Sequence, residues 1–372
     1  MDDAVAGASV SGARPEPRMT REQFTFTGTA REYFGIWIVN ILLTIVTLGI
    51  YSAWAKVRRK RYFYGNTWIA GSSFEYHARP MTILIGRIIV LAIIIAYNLA
   101  VNFLPIVGAI IGVAFLFAVP WFVMRGLRFN ARVTSYRNIR FDFVGGYWGA
   151  FLAFVLGGAL AYATFGILAP IASQWMWSYM LGNLRYGDRT IACDPRLEKL
   201  YGQWLLPFVT VVVGSIAMAI IGVGIFFLLA SVGMDLEGWM DAGDDAPVVL
   251  FLFAIYAAFI PFFLLFAVAG LLYRAGTRNV ALNETIIDSR HLMASSIHRG
   301  RYAWIAVTNF LATIFTLGLA RPWAAIRMAK YLAACTAIHA TGSFDEYLGE
   351  IADSGAAVGS EFMDVEGLDF GF

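Results

Sequence analysis

The chain has 372 residues, of which 59% are hydrophobic and 14% are charged. Soluble globular proteins average about 45–50% apolar and about 25% charged residues, so this composition excludes a disordered chain, a secreted disulfide scaffold and an ordinary soluble enzyme. The net charge of +3 is too small to indicate nucleic-acid binding, and the two cysteines form no CxxC pair. The composition therefore predicts a membrane protein with several crossings.

Seven apolar runs follow one another along the chain. A helix that crosses the hydrocarbon core needs roughly 20 mostly apolar residues. The runs that reach or approach this length are 33–55, 81–104, 106–124, 147–184, 204–230, 248–273 and 302–320. One straight helix over 147–184 would be about 57 Å long, nearly twice the thickness of the membrane core. That run must therefore bend back or leave the membrane.

A pattern that we call a cassette occurs three times. The segment FTFTG at 24–28 recurs as FDFVG at 141–145, and each predicts a short strand. An apolar helix and a Thr-x-Gly break follow these segments, and the third copy has the helix and the break without the aromatic strand. The breaks lie at Gly49, Gly166 and Gly318. Glycine favours turns, so these three glycines are predicted helix-turn residues.

These features predict an all-α polytopic membrane protein. It would be built from repeated helical cassettes with re-entrant or hairpin first helices and small juxtamembrane clusters of β-strands. The predicted order is a disordered N-terminal tail (1–23), cassette 1 (24–129), cassette 2 (137–273), a truncated cassette 3 (278–350) and an acidic C-terminal tail (351–372).

Four segments carry a family resemblance: TLGIYSAWAKVRRKRYFYGNT, FEYH, RNIRFDF and TLGLARPWAAIRMAKYLAACT. Together they resemble the YjgN family of bacterial inner-membrane proteins, which is defined by a domain of unknown function. The resemblance covers roughly residues 24 to 350. It implies a multi-pass plasma-membrane protein and brings no activity, ligand or catalytic residue. The middle cassette departs from the pattern, because Trp175 and Ser178 stand where the first cassette has Arg58 and Arg61.

The distribution of charge predicts the topology. Lysine and arginine in short loops mark the cytoplasmic side. Both termini and the basic segments are therefore predicted to be cytoplasmic, and the acidic loop 231–247, which has no basic residue, to lie outside. The basic segments are 56–79, 125–146, 185–203 and 274–301. A hairpin that turns back at each Thr-x-Gly satisfies this rule, whereas seven simple spans, the alternative, invert it for half of the chain.

Basic and aromatic side chains alternate in the second helix of the first cassette, a pattern typical of anchors on anionic lipid. Arg87 is a single charge within a long apolar pair. It is either a functional intramembrane residue or a side chain that snorkels to water. The candidate lipid or solute contacts are Arg58, Arg59, Arg61, Tyr62, Asn66, Arg87, Arg327, Lys330 and Tyr331.

The sequence predicts no catalytic residue, metal site or cofactor. The four histidines form no HxxxH or HExxH spacing, and the apolar runs contain no carboxylate pair. Two functions stay open, and the sequence leaves the oligomeric state undetermined. The first is a carrier or channel-like protein for a small solute or lipid, favoured by the repeats, the broken helices and the matched polar residues Asn40 and Asn309. The second is a structural protein that organises membrane lipids, with anionic lipids as partners.

Overall fold

The computed structural model describes residues 19–231 and 246–342. The strands are β1 (Met19–Gln23), β2 (Thr25–Phe26), β3 (Thr67–Ile69), β4 (Ser72–Tyr76), β5 (Thr134–Tyr136), β6 (Ile139–Phe143), β7 (Leu184–Tyr186), β8 (Arg189–Cys193), β9 (Thr285–Ile287), β10 (His291–Ser295) and β11 (Thr336–Thr341). The helices are α1 (Ala30–Val46), α2 (Ser52–Gly65), α3 (Pro80–Phe103), α4 (Pro105–Arg132), α5 (Tyr147–Ala150), α6 (Gly157–Ala163), α7 (Ala169–Gly182), α8 (Leu197–Ser231), α9 (Ala246–Asn283), α10 (Arg299–Phe315) and α11 (Arg321–Ala334). A π-helix, Phe151–Leu156, joins α5 to α6.

The strands form one antiparallel sheet that closes nearly into a barrel. Its order is β1-β11-β10-β9-β8-β7-β6-β5-β4-β3-β2. The two end strands are consecutive in the chain, separated by Phe24 alone. One pairs with β11 (Met19 opposite Thr341) and the other with β3 (Thr25 opposite Trp68). The segment 19–26 therefore links both ends of the sheet.

The predicted all-α class is wrong, because the expected separate strand clusters join into this single sheet. Each strand has only two to six residues, and an isolated two-stranded hairpin is at best marginally stable in water. The strands are stable because each hairpin pairs with its neighbours. Residues 19–23, predicted to be part of a disordered tail, form β1, and β10 occupies the place where the third cassette was expected to lack a strand.

In the described chain, five helix hairpins connect the strands, and all of them lie at the same end of the barrel. Two are long (α3–α4 and α8–α9), and three are short (α1–α2, α5–α7 and α10–α11). Neighbouring hairpins pack side by side, and the last packs against the first through α11 and α1, so the hairpins form a ring. Among the described residues, four helices, all in the long hairpins, are long and apolar enough to cross a membrane. The predicted acidic loop lies largely outside the described residues.

Each short hairpin turns at a Thr-x-Gly segment. In all three turns the middle residue and the glycine have positive φ: 49° and 93° at Leu48 and Gly49, 50° and 85° at Phe165 and Gly166, and 49° and 94° at Leu317 and Gly318. Glycine adopts such angles at no steric cost. The uncharged run 147–184 is divided at the second of these turns.

Aromatic and branched side chains fill the barrel. The ring centroids of Phe74 and Tyr136 lie 4.9 Å apart, as do those of Phe141 and Tyr186. The Tyr136 hydroxyl donates to the Ile69 carbonyl at 2.7 Å, and the Tyr186 hydroxyl to the Tyr136 carbonyl at 2.9 Å. A cavity of only about 70 Å³ is left between them. The barrel is thus a packed core.

Candidate functional site: a basic cluster between the first two hairpins

The second helix of the first hairpin packs between the sheet and the first long hairpin. Its buried residues Ala53 and Val57 share a core with Tyr76, Ile83 and Phe129. Side chains three or four residues apart lie on the same side of a helix. Residues 56 and 60 therefore lie beside this core, and both of their lysines are half-buried.

Four cations meet there, and we call Lys56, Arg59, Lys60 and Arg87 the basic cluster. Lys60 Nζ donates to Asn130 Oδ1 and lies 4.9 Å from the centroid of the Tyr76 ring, a cation–π contact. Arg87 donates to Ser52 Oγ. These contacts tie α2 to both helices of the first long hairpin.

The charges of the cluster repel one another. Burial, followed by the charges of Lys56 and Arg59, lowers the pKa of Lys60 to about 8. Burial, followed by Arg87 and Arg59, also lowers the pKa of Lys56. Within the described part of the chain, no carboxylate lies within ion-pair distance of these four residues. Lys56 and Lys60 are half-buried, and Arg59 and Arg87 are exposed. Cations grouped in this way, with no carboxylate partner among the described residues, favour the binding of an anion.

A buried hydroxyl belongs to the same region. Tyr76 is buried, and burial together with Tyr64 raises its pKa to about 12. It therefore stays protonated and neutral at physiological pH. The hydroxyl has no hydrogen-bond partner among the described residues, and its ring lies under Lys60 Nζ. The cluster thus combines several cations with one neutral hydroxyl.

Three tyrosines occupy equivalent positions in the second helices of the short hairpins, and their hydroxyls stabilise the hairpins. Two of them, Tyr62 and Tyr331, are predicted contacts. The Tyr62 hydroxyl accepts from the Thr29 N–H at 2.9 Å and lies 3.0 Å from the Thr29 carbonyl oxygen. The Tyr331 hydroxyl makes the same pair of bonds with His298, both at 3.1 Å. Tyr179 donates to a carbonyl at the start of the middle hairpin. These hydroxyls tie the second helix of each hairpin to the start of the first.

The predicted polar residues of the last hairpin also hold helices together. Arg327 Nη1 donates to Thr308 Oγ1 at 2.7 Å and to Asn309 Oδ1 at 3.1 Å, and its guanidinium lies 5.1 Å from the centroid of the Trp323 ring. Asn309 Nδ2 donates to the Ala324 carbonyl at 3.0 Å. The amide therefore joins α10 to α11.

The other predicted contacts differ in their surroundings. Arg58, Arg61 and Lys330 are exposed, although Arg61 Nε donates to the Tyr76 carbonyl at 3.2 Å. Asn66 donates to the Tyr62 carbonyl at 2.8 Å at the end of α2. The structure brings Arg59 and Arg87 together in the cluster and leaves Arg327, Lys330 and Tyr331 in another hairpin. A role in binding stays a prediction for all nine.

Sequence reasoning missed Ser52 and Asn130 as site residues. The sequence places Lys56 and Lys60 in the basic run that is predicted to anchor on anionic lipid, although neither is among the candidate contacts. A signal was available, because the helical period places Lys56 and Lys60 next to apolar Ala53 and Val57. Asn130 had no such signal, since only tertiary packing brings α4 beside α2.

A polar cavity of about 340 Å³ lies at the base of the second long hairpin. Its charged groups are paired, since Glu284 accepts from both Lys199 and Arg196 and its pKa is lowered chiefly by the bond from Lys199. The amides of Asn279 and Asn283 bond to the segment after β9. The cavity therefore lacks the unmatched charge of the basic cluster.

Comparison with known proteins identifies the family. Residues 21–365 match the family described as "Bacterial protein of unknown function (DUF898)". The chain belongs to this family. It is similar to the inner membrane protein YjgN of Salmonella typhimurium, with 25% identity over 84% of this chain and 87% of the relative. It is 35% identical to the inner membrane protein YjgN of Escherichia coli K12 over 34% of this chain and 32% of that relative. The resemblance seen in the sequence is confirmed, and no solved structure matches the chain significantly.

Proposed function

We propose that this protein is a multi-pass protein of the bacterial inner membrane that binds anionic lipid headgroups through the basic cluster and organises lipid around its helix hairpins. The observation that carries the proposal is the group of four cations with no carboxylate partner among the described residues. Four membrane-length helices and the inner-membrane relatives support the location. A phosphodiester headgroup has the charge and the acceptor oxygens that such a cluster needs.

The depth of the cluster also favours a headgroup. Arg87 lies seven residues after the start of α3, about 10 Å along the helix axis, on the side of the membrane where the sheet lies. Lysine and arginine side chains can extend toward the interface from this depth. The cluster therefore lies where phosphate groups of one leaflet are within reach.

The same arrangement supports the predicted topology. Met19 and Thr341 are paired in the sheet, so both ends of the described chain lie on one side of the helices. The basic segments lie on that side, which is cytoplasmic under the positive-inside rule. Transport along the barrel axis is disfavoured, because the side chains that fill the barrel leave only about 70 Å³.

A matched pair of variants tests headgroup binding. Lys60→Gln removes a half-buried charge of the cluster, and Arg58→Gln removes an exposed charge from the same helix. Native mass spectrometry of the purified protein in detergent measures retained phosphatidylglycerol, with phosphatidylethanolamine as the neutral reference. One basic residue contributes about 1 kcal/mol near an anionic surface, which is about fivefold in affinity.

We expect Lys60→Gln to lower retention of the anionic lipid by about this factor, with a smaller loss for Arg58→Gln. Thermal unfolding of both variants verifies that they are folded. Equal losses of lipid in the two variants would indicate nonspecific attraction between the basic surface and anionic lipid, and would contradict a specific site at the cluster. Unchanged retention in Lys60→Gln would refute the proposal.

A further inference from the structure

The tips of the three short hairpins carry large apolar side chains that contact almost nothing in the described part of the chain. Leu48 is 94% exposed, and Phe165 and Leu317 are each 95% exposed. All three have left-handed backbone angles, which non-glycine residues adopt uncommonly. Each of the three tips thus exposes a large apolar side chain on a residue with positive φ. This repetition indicates that all three tips lie in an apolar environment.

The backbone N–H groups of each tip donate hydrogen bonds within the turn. In the first hairpin, the N–H groups of Leu48, Gly49 and Ile50 donate to carbonyls of the same turn at 2.7–3.1 Å, and the Tyr51 N–H donates to Thr47 Oγ1 at 2.9 Å. Equivalent bonds form in the other two turns, with a threonine hydroxyl as the acceptor each time. Unpaired N–H groups are costly in hydrocarbon. The Thr-x-Gly turn therefore suits lipid as well as water.

Contacts with the long hairpins show how far the tips extend. Ser52, next to the first tip, accepts a hydrogen bond from Arg87, and the Gly166 carbonyl at the second tip accepts from Trp204 Nε1 at 2.8 Å. Both donors lie seven residues after the start of their helix, about 10 Å along it. The helices α3 and α8 extend about 36 and 52 Å. The first two tips therefore end in the half of a roughly 30 Å membrane core that adjoins the sheet, and the third hairpin has helices of the same length as the first.

The protein consequently has different widths in the two leaflets. In the leaflet next to the sheet, each of the five described hairpins contributes two helical segments. Beyond the tips of the short hairpins, only the four long helices of the described chain continue into the other leaflet. A helix is about 10 Å wide, so the six additional segments occupy about 500 Å² in one leaflet.

We infer that the three short hairpins form a wedge in the leaflet adjoining the sheet and that the protein prefers membranes that are convex on this side. The occupant of the exposed tips is the acyl-chain layer of that leaflet. The tips continue the apolar surface of the long hairpins, and α2 carries Lys56, Arg59 and Lys60 from the first tip back toward the headgroups. The inference does not depend on which headgroup the cluster binds.

Reconstitution into vesicles of two sizes tests the wedge. Fluorescently labelled protein is incorporated into small sonicated and large extruded vesicles of phosphatidylethanolamine and phosphatidylglycerol. The fraction of protein cleaved by protease added outside the vesicles counts the molecules whose sheet faces outward. We expect a higher ratio of these molecules to lipid in the small vesicles. Equal ratios in the two sizes would overturn the inference.

The triple variant Leu48→Gln, Phe165→Gln and Leu317→Gln should remove this enrichment. The control Leu104→Gln changes an exposed leucine at the turn of a long hairpin and should keep it. Enrichment that persists in the triple variant overturns the wedge. So does a parent that is dimeric in detergent and becomes monomeric in the triple variant, because the tips would then contact a second copy.

A second measurement covers the case in which the triple variant does not fold. Leu48→Trp adds one indole, at the first tip, to the eleven native tryptophans. Lipids brominated along the acyl chain quench the fluorescence that this variant has in excess of the parent only when the tip is in hydrocarbon. Quenching well above that of soluble tryptophan is expected. Its absence would place the tip in water and overturn the inference.

Discussion

Tyr62 is a candidate contact in the sequence. Replacing it by Phe distinguishes a structural role of its hydroxyl, which we call bracing, from a role in ligand binding. The change keeps the ring, which stacks on Tyr33 at 5.4 Å between centroids, and removes a hydroxyl that bonds the N–H and carbonyl of Thr29. Hydrogen bonds of this kind contribute about 0.5–1.5 kcal/mol each, and the site is partly open to solvent. The free energy of unfolding should fall by about 1–2 kcal/mol.

For a chain of this size, each kcal/mol lost from the free energy of unfolding lowers the melting temperature by about 2 °C. The melting temperature should therefore fall by about 2–4 °C. Thermal unfolding in detergent, followed by tryptophan fluorescence, measures the shift, and native mass spectrometry measures phosphatidylglycerol retention. Tyr64→Phe is the matched control on the same helix, because no protein group among the described residues bonds its hydroxyl. A loss of retained lipid without a loss of stability in Tyr62→Phe would refute the bracing role.

Three further predictions follow from the same contacts. Retention of phosphatidylglycerol should fall as the pH rises through about 8, because the lowered pKa of Lys60 makes it lose its proton there; titration by native mass spectrometry checks this. Gly145→Ala should lower the free energy of unfolding by about 1–3 kcal/mol, measured by thermal unfolding, because the new Cβ would lie 2.5 Å from the Phe143 ring and 2.9 Å from the Tyr179 ring. In intact spheroplasts, with both native cysteines replaced by serine, an impermeant thiol reagent should label a cysteine at Asp241 and leave one at Ser289 unlabelled.

Each of these three has a contrary outcome. Lys60→Arg keeps its charge at every accessible pH, so it should flatten the pH dependence, and an unchanged slope would assign the effect to another group. Gly158→Ala meets nothing within 4 Å and should not destabilise the protein. Labelling at Ser289 with protection at Asp241 would favour seven simple spans.

The local chemistry of this protein could be predicted from its sequence. Hydropathy identified the long apolar helices, because the length of an apolar run is a local property. The breaks at Gly49, Gly166 and Gly318 followed from Thr-x-Gly, since a threonine hydroxyl and a glycine with positive φ close such turns with neighbouring residues alone. The family followed from the motifs.

Only the tertiary structure decided how these pieces assemble. Short strands could be predicted at 24–28 and 141–145, but the closure of the sheet depends on pairs between distant residues, such as Met19 with Thr341. The prediction of an all-α protein was therefore wrong. The basic cluster has the same origin, because burial beside Tyr76 of β4 and Asn130 of α4 lowers the pKa of Lys60. Pairing of short strands and burial of a charge depend on neighbours distant in the chain, whereas turns and apolar helices depend on adjacent residues.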